Sequence, residues 1–91
     1  MRFEWDETKR TENLRKHGFD FVDAELIFEN ETVTDADARF DYPERRFYTL
    51  GLLQGTVVVL VHTETDEVIR VISLRKAESY EEQIYFSQIR D

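Results

Sequence analysis

Three short runs of apolar residues dominate the second half of the chain. They span residues 46–53, 56–63 and 67–74 and are rich in valine, isoleucine and leucine. Valine and isoleucine favour strands because a stiff, branched Cβ packs well on a pleated surface. Gln54-Gly55 separates the first two runs, and polar residues 64–66 separate the second from the third. The pattern predicts an antiparallel meander of three strands joined by hairpin turns.

The short loops also predict a register, with Leu53 opposite Thr56 and Glu64 opposite Glu67. Alternation of side chains then divides the sheet into two faces. The first face is almost entirely apolar, and we expect it to be the core. It collects Tyr48, Leu50, Leu52, Val57, Val59, Val61, Ile72 and Leu74, with Arg70 near its edge. The second face carries polar groups, and we expect any chemistry on the sheet there. It collects Phe47, Thr49, Gly51, Val58, Leu60, His62, Ile69, Val71, Ser73 and Arg75.

The N-terminal segment predicts a short strand followed by a helix. Residues 3–5 alternate apolar and polar. Asp6 is a suitable N-cap, and Gly18 is suited to the left-handed position that closes a helix ending at His17. Four polar residues at spacings of three and four share one broad face of this helix. They are Lys9, Asn13, Lys16 and His17. The simplest interpretation of this face is a solvated polar surface.

The remaining segments complete an α+β arrangement. We predict a second helix from Asp20 to about Glu29, with a buried stripe of Phe21, Ala24, Ile27 and Phe28. A strand at residues 31–34 and a polar loop at 35–45 follow. The segment from Glu78 to Gln88 is helix-compatible, and its expected inner stripe contains Tyr80, Ile84 and Ser87. The predicted fold is a small, mainly antiparallel sheet with two N-terminal helices and one C-terminal helix.

Composition limits the classes of protein to be considered. A chain of 91 residues predicts a single domain over residues 1–91, and the lack of cysteine excludes a disulfide framework. The N-terminus lacks the apolar stretch of a signal peptide, and the longest apolar run, residues 57–61, is far too short to span a bilayer. We therefore expect a soluble, cytoplasmic protein without a membrane association.

Net charge constrains any nucleic-acid site. Twenty acidic residues against twelve basic ones give a formal charge of −8. This excess repels phosphate and disfavours nonspecific binding of nucleic acid. A site for RNA would need to gather basic groups in one place against the mean field.

The candidate chemistry lies near the end of the third strand. The two histidines belong to no metal-binding motif, and three glycines leave little room for a phosphate-cradling loop, so we expect no metal and no cofactor. What remains is a group of polar residues close to the last helix, consisting of Arg70, Ser73, Arg75, Lys76, Tyr80 and Tyr85. Arginine matches phosphate oxygens, and a histidine such as His62 can transfer protons near neutrality. The simpler alternative is that both arginines pair with surface acids.

Several short motifs resemble one protein family. They are Phe3-Glu4-Trp5-Asp6, Lys9, Asn13, Lys16-His17-Gly18, Phe21, Ala24, Phe28, Arg46-Phe47, Gly51, Val61-His62-Thr63 and residues 70–77, which read RVISLRKA. Together they span nearly the whole chain. The sequence resembles the BrnT-type toxins, which are the ribonuclease half of a type II toxin–antitoxin pair.

This resemblance implies a RelE-like α+β fold, metal-independent cleavage of RNA and arrest of translation. It also implies a BrnA-type antitoxin with a ribbon-helix-helix DNA-binding part, so that the complex reaches operator DNA only through the antitoxin. The catalytic residues that we predict are His62, Arg75, Arg70, Lys76 and His17. The RNA-binding residues that we predict are Lys9, Asn13, Lys16, Ser73 and Tyr85. As a surface arginine, Arg75 should contribute under about 1 kcal/mol to stability.

A non-enzymatic role is the alternative. A toxin-fold protein that only binds its antitoxin, and so tunes repression of their operon, would retain the same fold. The net charge of −8 favours this alternative, whereas the basic and histidine residues of the motifs favour the ribonuclease.

Overall fold

The structure, a computed structural model, describes residues 1–38, 41 and 43–89. Five strands and three α-helices follow the chain, with a 3₁₀ turn at Phe21–Asp23 between the first two helices. The strands are β1 (Arg2–Glu4), β2 (Val33–Ala36), β3 (Phe47–Leu53), β4 (Thr56–Glu64) and β5 (Val68–Lys76). The helices are α1 (Glu7–His17), α2 (Ala24–Ile27) and α3 (Ser79–Ile89). The predicted α+β class is confirmed. No helix in these ranges is long and apolar enough to cross a membrane.

The five strands form one mixed sheet in the order β1-β5-β4-β3-β2. β1 runs parallel to β5, while the other neighbouring strands are antiparallel. The prediction of a mainly antiparallel sheet therefore needs correction. Phe3 lies beside Ile69, so the two paired segments are far apart in the sequence. Alternation within each segment identifies a strand but carries no information about such a distant partner.

The layout of the N-terminal helices differs from the prediction, because only the first of the two predicted helices forms at its expected length. α1 has its expected caps, since the Asp6 side chain accepts the Lys9 N–H and Gly18 is left-handed with φ +78°. The second predicted helix is instead the 3₁₀ turn followed by the four residues of α2. This short segment packs directly over β3. A Cβ on Gly51 would lie 2.5 Å from Ile27 Cγ2, so glycine makes that close approach possible.

The β3–β4 hairpin follows the predicted register, with Leu53 opposite Thr56. Gln54 and Gly55 both have positive φ, as a type I′ turn requires. The predicted β4–β5 register was wrong. Glu64 lies opposite Ile69, and the register shifts at Val61/His62. A direct pairing of Glu64 with Glu67 would have placed like charges together.

The shift in β5 changes which side chains share a face. Val61 pairs with Ser73 and His62 pairs with Val71, which leaves Ile72 as an extra residue between them. Thr63 pairs with Arg70, and Val59 pairs with Arg75. The extra residue therefore brings the two arginines onto the same face of the sheet, whereas the prediction separated them.

Both faces of the sheet are covered by helices, so the core is not confined to the face on which the prediction placed it. The N-terminal helical segments cover one cluster: Phe21, Ala24, Ile27, Leu53, Val58, Leu60, Val71 and Leu74. α3 covers the other, which contains Leu50, Val57, Val59, Ala77 and Tyr85. α3 turns Glu81 and Tyr85 inward and leaves Tyr80 and Ile84 exposed, the reverse of the predicted stripe.

Asn13 joins α1 to the edge of β5. The pairing of β1 with β5 ends at Arg70. The backbone of β5 beyond Arg70 therefore needs another hydrogen-bond partner on that side. The buried Asn13 amide accepts the Leu74 N–H at 3.1 Å and donates to the Leu74 carbonyl at 2.8 Å. It also donates to the Phe19 carbonyl at 3.1 Å. A side-chain amide thus continues the ladder where β1 has ended.

We expect Asn13→Ala to lower the free energy of unfolding by roughly 3 kcal/mol, because the buried N–H and carbonyl of Leu74 lose their partner. Urea unfolding checks this value, with Glu12→Ala, an exposed neighbour on the same helix, as the matched control. Equal unfolding midpoints for the two variants would contradict the structural role of Asn13.

Candidate functional site

The end of β5 gathers basic side chains from two elements. Lys16 and His17 end α1, while Arg75 and Lys76 end β5. Asn13, one turn earlier on α1, bonds the backbone of Leu74, so the end of α1 lies beside the end of β5. Partial burial lowers the pKa of His17, and the positive charges of Lys16 and Arg75 lower it further. His17 is therefore neutral at pH 7 and able to accept a proton.

Arg75 is held by a bidentate ion pair with Glu81 of α3. Its Nη1 and Nη2 atoms donate to the two Glu81 carboxylate oxygens at 2.8 and 2.9 Å. The same carboxylate accepts the Glu78 N–H at 2.8 Å, which caps the start of α3. The hydrogen bonds to Glu81, together with its charge, raise the pKa of Arg75.

This geometry corrects the expectation that Arg75 contributes little to stability. The side chains of Arg75 and Glu81 are 29% and 11% exposed, so neither is a free surface group. Removing the arginine would leave a largely buried carboxylate without the guanidinium that neutralises its charge. We expect a cost on the order of 2 kcal/mol, below that of a fully buried pair because Arg75 stays partly solvated.

A cleft of about 320 Å³ opens beside this ion pair, between α3 and the sheet. Its wall combines an apolar floor, two tyrosines and three charged residues. The lining residues are Ala36, Asp37, Ala38, Tyr48, Leu50, Val59, Val61, Arg75, Tyr80, Glu81 and Ile84. Arg75 therefore belongs both to this cleft and to the basic group at the end of β5.

His62 lies in the core on the opposite face of the sheet. Its Nε2 atom is 2.8 Å from the Thr49 hydroxyl, which in turn is 2.7 Å from the Thr34 hydroxyl. The ring stacks on Phe47 and meets Phe28 edge-on. Burial lowers its pKa, partly opposed by the charge of Glu64 3.8 Å away. The structure thus separates His62 from Arg75, and the side chain is 1% exposed.

Arg70, another of the five predicted catalytic residues, also lies apart from the end of β5. Its Nη1 atom donates to Glu4 at 2.7 Å, which ties β5 to β1. Five residues along a strand separate Arg70 from Arg75, or roughly 16 Å at the usual rise per residue. Arg70 and Arg75 share a face without meeting at one site.

Among the predicted RNA-binding residues, the structure gives two a structural position. The Asn13 amide is hydrogen-bonded to the backbone of Leu74 and Phe19. Tyr85 is buried, and its hydroxyl donates to the Glu31 carbonyl at 2.9 Å. By contrast, Lys9 and Lys16 are exposed, seven residues apart on α1. Ser73 is half-buried beside Val61 on the face that α3 covers.

The cleft contains residues that sequence reasoning did not assign to a site. The sequence did contain a signal for Glu81. Glu81 lies three residues after Glu78, the residue before α3, and this is the spacing of a capping box. Tyr48 was assigned to the core by alternation, and it does lie on that face at the border of the cleft. Asp37 came from a polar segment that carried no pattern. Residues 39, 40 and 42 of that predicted loop lie outside the described residues.

The described residues include no group of three or more histidine, aspartate and glutamate side chains that could hold a metal ion. The basic end of β5 and its neighbouring cleft are thus built from arginine, lysine, histidine, tyrosine and a paired carboxylate.

The comparisons with known proteins identify the class of protein to which such a fold and site belong: the toxins of type II toxin–antitoxin systems. The family model described as "Ribonuclease toxin, BrnT, of type II toxin-antitoxin system" matches residues 5–81. The chain belongs to this BrnT toxin family, and the resemblance seen in the sequence is confirmed.

A solved structure supports the same assignment. The chain is similar to the Brucella abortus ribonuclease toxin BrnT, known from a crystal structure at 1.1 Å resolution. The two share 29% sequence identity and superpose with a TM-score of 0.63, covering 87% of this chain and 99% of that one. No curated protein matches the sequence significantly.

We expect the stability of the protein to fall as the pH drops below about 6.5, the ordinary pKa of histidine. The buried His62 has a lowered pKa, so in that pH range the unfolded chain binds more protons than the folded chain. Urea unfolding at pH 7.5 and 5.5 measures the loss, which His62→Gln should reduce relative to the original chain. His17→Gln is the comparison, because the pKa of His17 is also lowered but His17 is less buried, so this variant should reduce the loss by a smaller amount. An equal pH dependence in the original chain and His62→Gln would contradict this role.

Proposed function

We propose that the protein is the metal-independent endoribonuclease of a toxin–antitoxin pair and that the catalytic centre is the end of β5. The observation that carries this proposal is that Asn13 bonds the backbone of Leu74, which places the last turn of α1, with Lys16 and His17, beside the end of β5, with Arg75 and Lys76. The family assignment supports the reaction class. A RelE-like fold and translation arrest in the cytoplasm follow from the same proposal.

RNA supplies its own nucleophile, the 2′-hydroxyl, so the protein must move a proton and stabilise charge. In the proposed reaction, neutral His17 takes the 2′-hydroxyl proton as the oxygen attacks the adjacent phosphorus. The bond to the 5′-oxygen then breaks, and that oxygen takes a proton from solvent. The products are a 2′,3′-cyclic phosphate and a 5′-hydroxyl. Arg75 and Lys76 stabilise the negative charge that develops on the phosphate.

The remaining predicted residues have supporting roles in this proposal. Lys9 and Lys16 lie on α1 and can hold the RNA backbone on either side of the scissile phosphate. Ser73 and Arg70 lie on β5, on the same face of the sheet as Arg75 but farther from the end of the strand. In this proposal they contact a longer RNA. We assign His62, Asn13 and Tyr85 to positioning the sheet and helices, because each is buried and hydrogen-bonded away from the basic group.

The proposed partner is a BrnA-type ribbon-helix-helix antitoxin, through which the complex would bind operator DNA. Membership of a type II toxin family implies an antitoxin. We propose that this antitoxin covers the basic group at the end of β5 and thereby prevents access of RNA. Its acidic side chains would complement the toxin's basic side chains there.

A non-enzymatic antitoxin-binding module is the second candidate. Two observations favour it: the net charge of −8 repels RNA, and Glu81 already occupies the guanidinium fork of Arg75. In this case Arg75 is a structural residue, and expression of the toxin alone would leave growth unaffected.

We expect His17→Gln to lower the rate of RNA cleavage by about 10²-fold or more, because the base that accepts the 2′-hydroxyl proton is lost. Cleavage of a labelled RNA by the purified protein measures the rate, with melting temperature checked alongside. His62→Gln is the matched control, since it should lower stability but retain cleavage when assayed well below its melting temperature. Undiminished cleavage by His17→Gln would sink the proposed base.

Arg75→Lys keeps a positive charge but cannot reproduce the bidentate contact with Glu81. We expect about 10-fold or more loss of cleavage in this variant and about 10²-fold in Arg75→Ala, as one transition-state donor is weakened or removed. Glu81→Gln separates the two roles of Arg75, because it breaks the ion pair and leaves the guanidinium in place. The cleavage rate of each of the three variants is compared with its melting temperature. If the cleavage rate falls only in proportion to the melting temperature, Arg75 has a structural role and no role in catalysis.

The antitoxin should co-purify with the toxin at a fixed ratio, and the complex should not cleave RNA. Lys16→Glu with Lys76→Glu should weaken this association, because both reverse charge at the proposed contact. Arg2→Glu, an exposed change at the distant β1 strand, is the control. Separate elution of the two proteins at physiological salt and micromolar concentration would refute the partner.

A further inference from the structure

The cleft beside Arg75 plays no part in the proton transfer proposed above, yet it shares that arginine with the catalytic centre. Its volume of about 320 Å³ lies at the small end of the range for ligand sites, which suits one planar group of nucleoside size. Arg75 lines the cleft and also belongs to the basic group at the end of β5. A nucleotide whose phosphate binds Arg75 would therefore place its base at the mouth of the cleft.

The walls of the cleft match the way in which proteins hold unpaired bases. Tyr48 and Tyr80 line it above an apolar floor that includes Leu50, Val59 and Val61. Bases of single-stranded RNA commonly stack on aromatic side chains and expose their edges to polar groups. Tyr80 is 57% exposed, so its ring is accessible to a ligand that enters from solvent.

The charges of the cleft orient such a ligand. Arg75 lies where the cleft meets the basic group, whereas the other charged lining residues are Asp37 and Glu81. The Asp37 carboxylate repels phosphate from the interior, whereas the charge of Glu81 is neutralised by its ion pair with Arg75. The sugar-phosphate part therefore stays at the Arg75 end, and the neutral base enters. Asp37 is 6% exposed and therefore held in place.

The carboxylate also distinguishes among the bases. Guanine presents two adjacent N–H donors on its Watson–Crick edge, which match the two oxygens of one carboxylate. A carboxylate offers about four lone-pair positions, so Asp37 can accept these donors beside its existing contacts. Uracil would instead bring carbonyl oxygens toward the negative charge.

We propose that the cleft between α3 and the sheet binds the base of the nucleotide that adjoins the scissile phosphate, with guanine preferred. The proposal deepens the proposed function by naming the specificity site of the same enzyme, and it rests on that function because Arg75 is shared. Tyr80 stacks on the base, and Asp37 reads its edge.

Binding of nucleoside 3′-monophosphates to the full chain tests the cleft without any need for cleavage. We expect guanosine 3′-monophosphate to bind more tightly than the adenosine, cytidine and uridine compounds in an NMR titration. Tyr80→Ala should weaken binding on the order of 10-fold, as loss of one stacking platform does. Phe86→Ala is the matched control, because Phe86 is an exposed aromatic on the same helix that does not line the cleft.

Two further variants guard against a folding effect at Asp37. Asp37→Asn should reduce the preference for guanosine over adenosine 3′-monophosphate, and its melting temperature is compared with that of the original chain. Ala38→Trp, at an exposed lining position, should obstruct the cleft and weaken all four nucleotides. Mapping the cuts in a long RNA should show guanosine beside the cut site, with a weaker preference in Tyr80→Ala.

Equal binding of the four nucleotides would overturn the proposal, as would equal effects of Tyr80→Ala and Phe86→Ala. It also fails if Ala38→Trp disrupts the antitoxin complex while leaving nucleotide binding unchanged, because the cleft would then be a protein-docking site. If guanosine 3′-monophosphate binds in the cleft but no RNA is cut, the ribonuclease proposal fails and the base-binding cleft stands. If RNA is cut without any base preference, the ribonuclease stands and the cleft proposal fails.

Discussion

The extra residue at Ile72 is the constraint on which the site depends. Side chains five residues apart on a regular strand lie on opposite faces, so Arg70 and Arg75 would have been separated. Because of the register shift between β4 and β5, Arg75 lies on the same face as Val59 and Arg70, under α3. There its guanidinium meets Glu81, and the pair holds the start of α3 against the sheet. The ion pair and the cleft beside it both depend on that one local irregularity.

β5 also shows how a small protein completes the hydrogen bonding of its sheet. β1 accompanies only the first part of β5, and the Asn13 amide takes over at Leu74. The same contact anchors α1, whose last turn carries Lys16 and His17 to the end of β5. A polar residue that looked suited to binding RNA therefore serves the fold, and by doing so it positions two neighbours that are suited to the chemistry.

The two histidines illustrate how burial decides a role that residue type leaves open. His62 is enclosed by Phe28, Phe47 and Thr49, and burial lowers its pKa in a place that no substrate reaches. His17 is only half-buried, and nearby positive charges assist in keeping it neutral. The motif resemblance indicated both residues equally, because a sequence motif does not distinguish a packing role from a catalytic one.

The sequence by itself determined the strands, the caps of α1, the Gln54-Gly55 turn and, through its motifs, the toxin family. These features depend on residues close together in the chain: branched side chains, the Asp6 and Gly18 caps, and a glycine with positive φ. Only the tertiary structure decided the parallel pairing of β1, the β4–β5 register, the inward face of α3 and the grouping of site residues. Each of these depends on contacts between distant segments, where packing on both faces of the sheet overrides local alternation, and where one unpaired residue exchanges the face of every side chain beyond it.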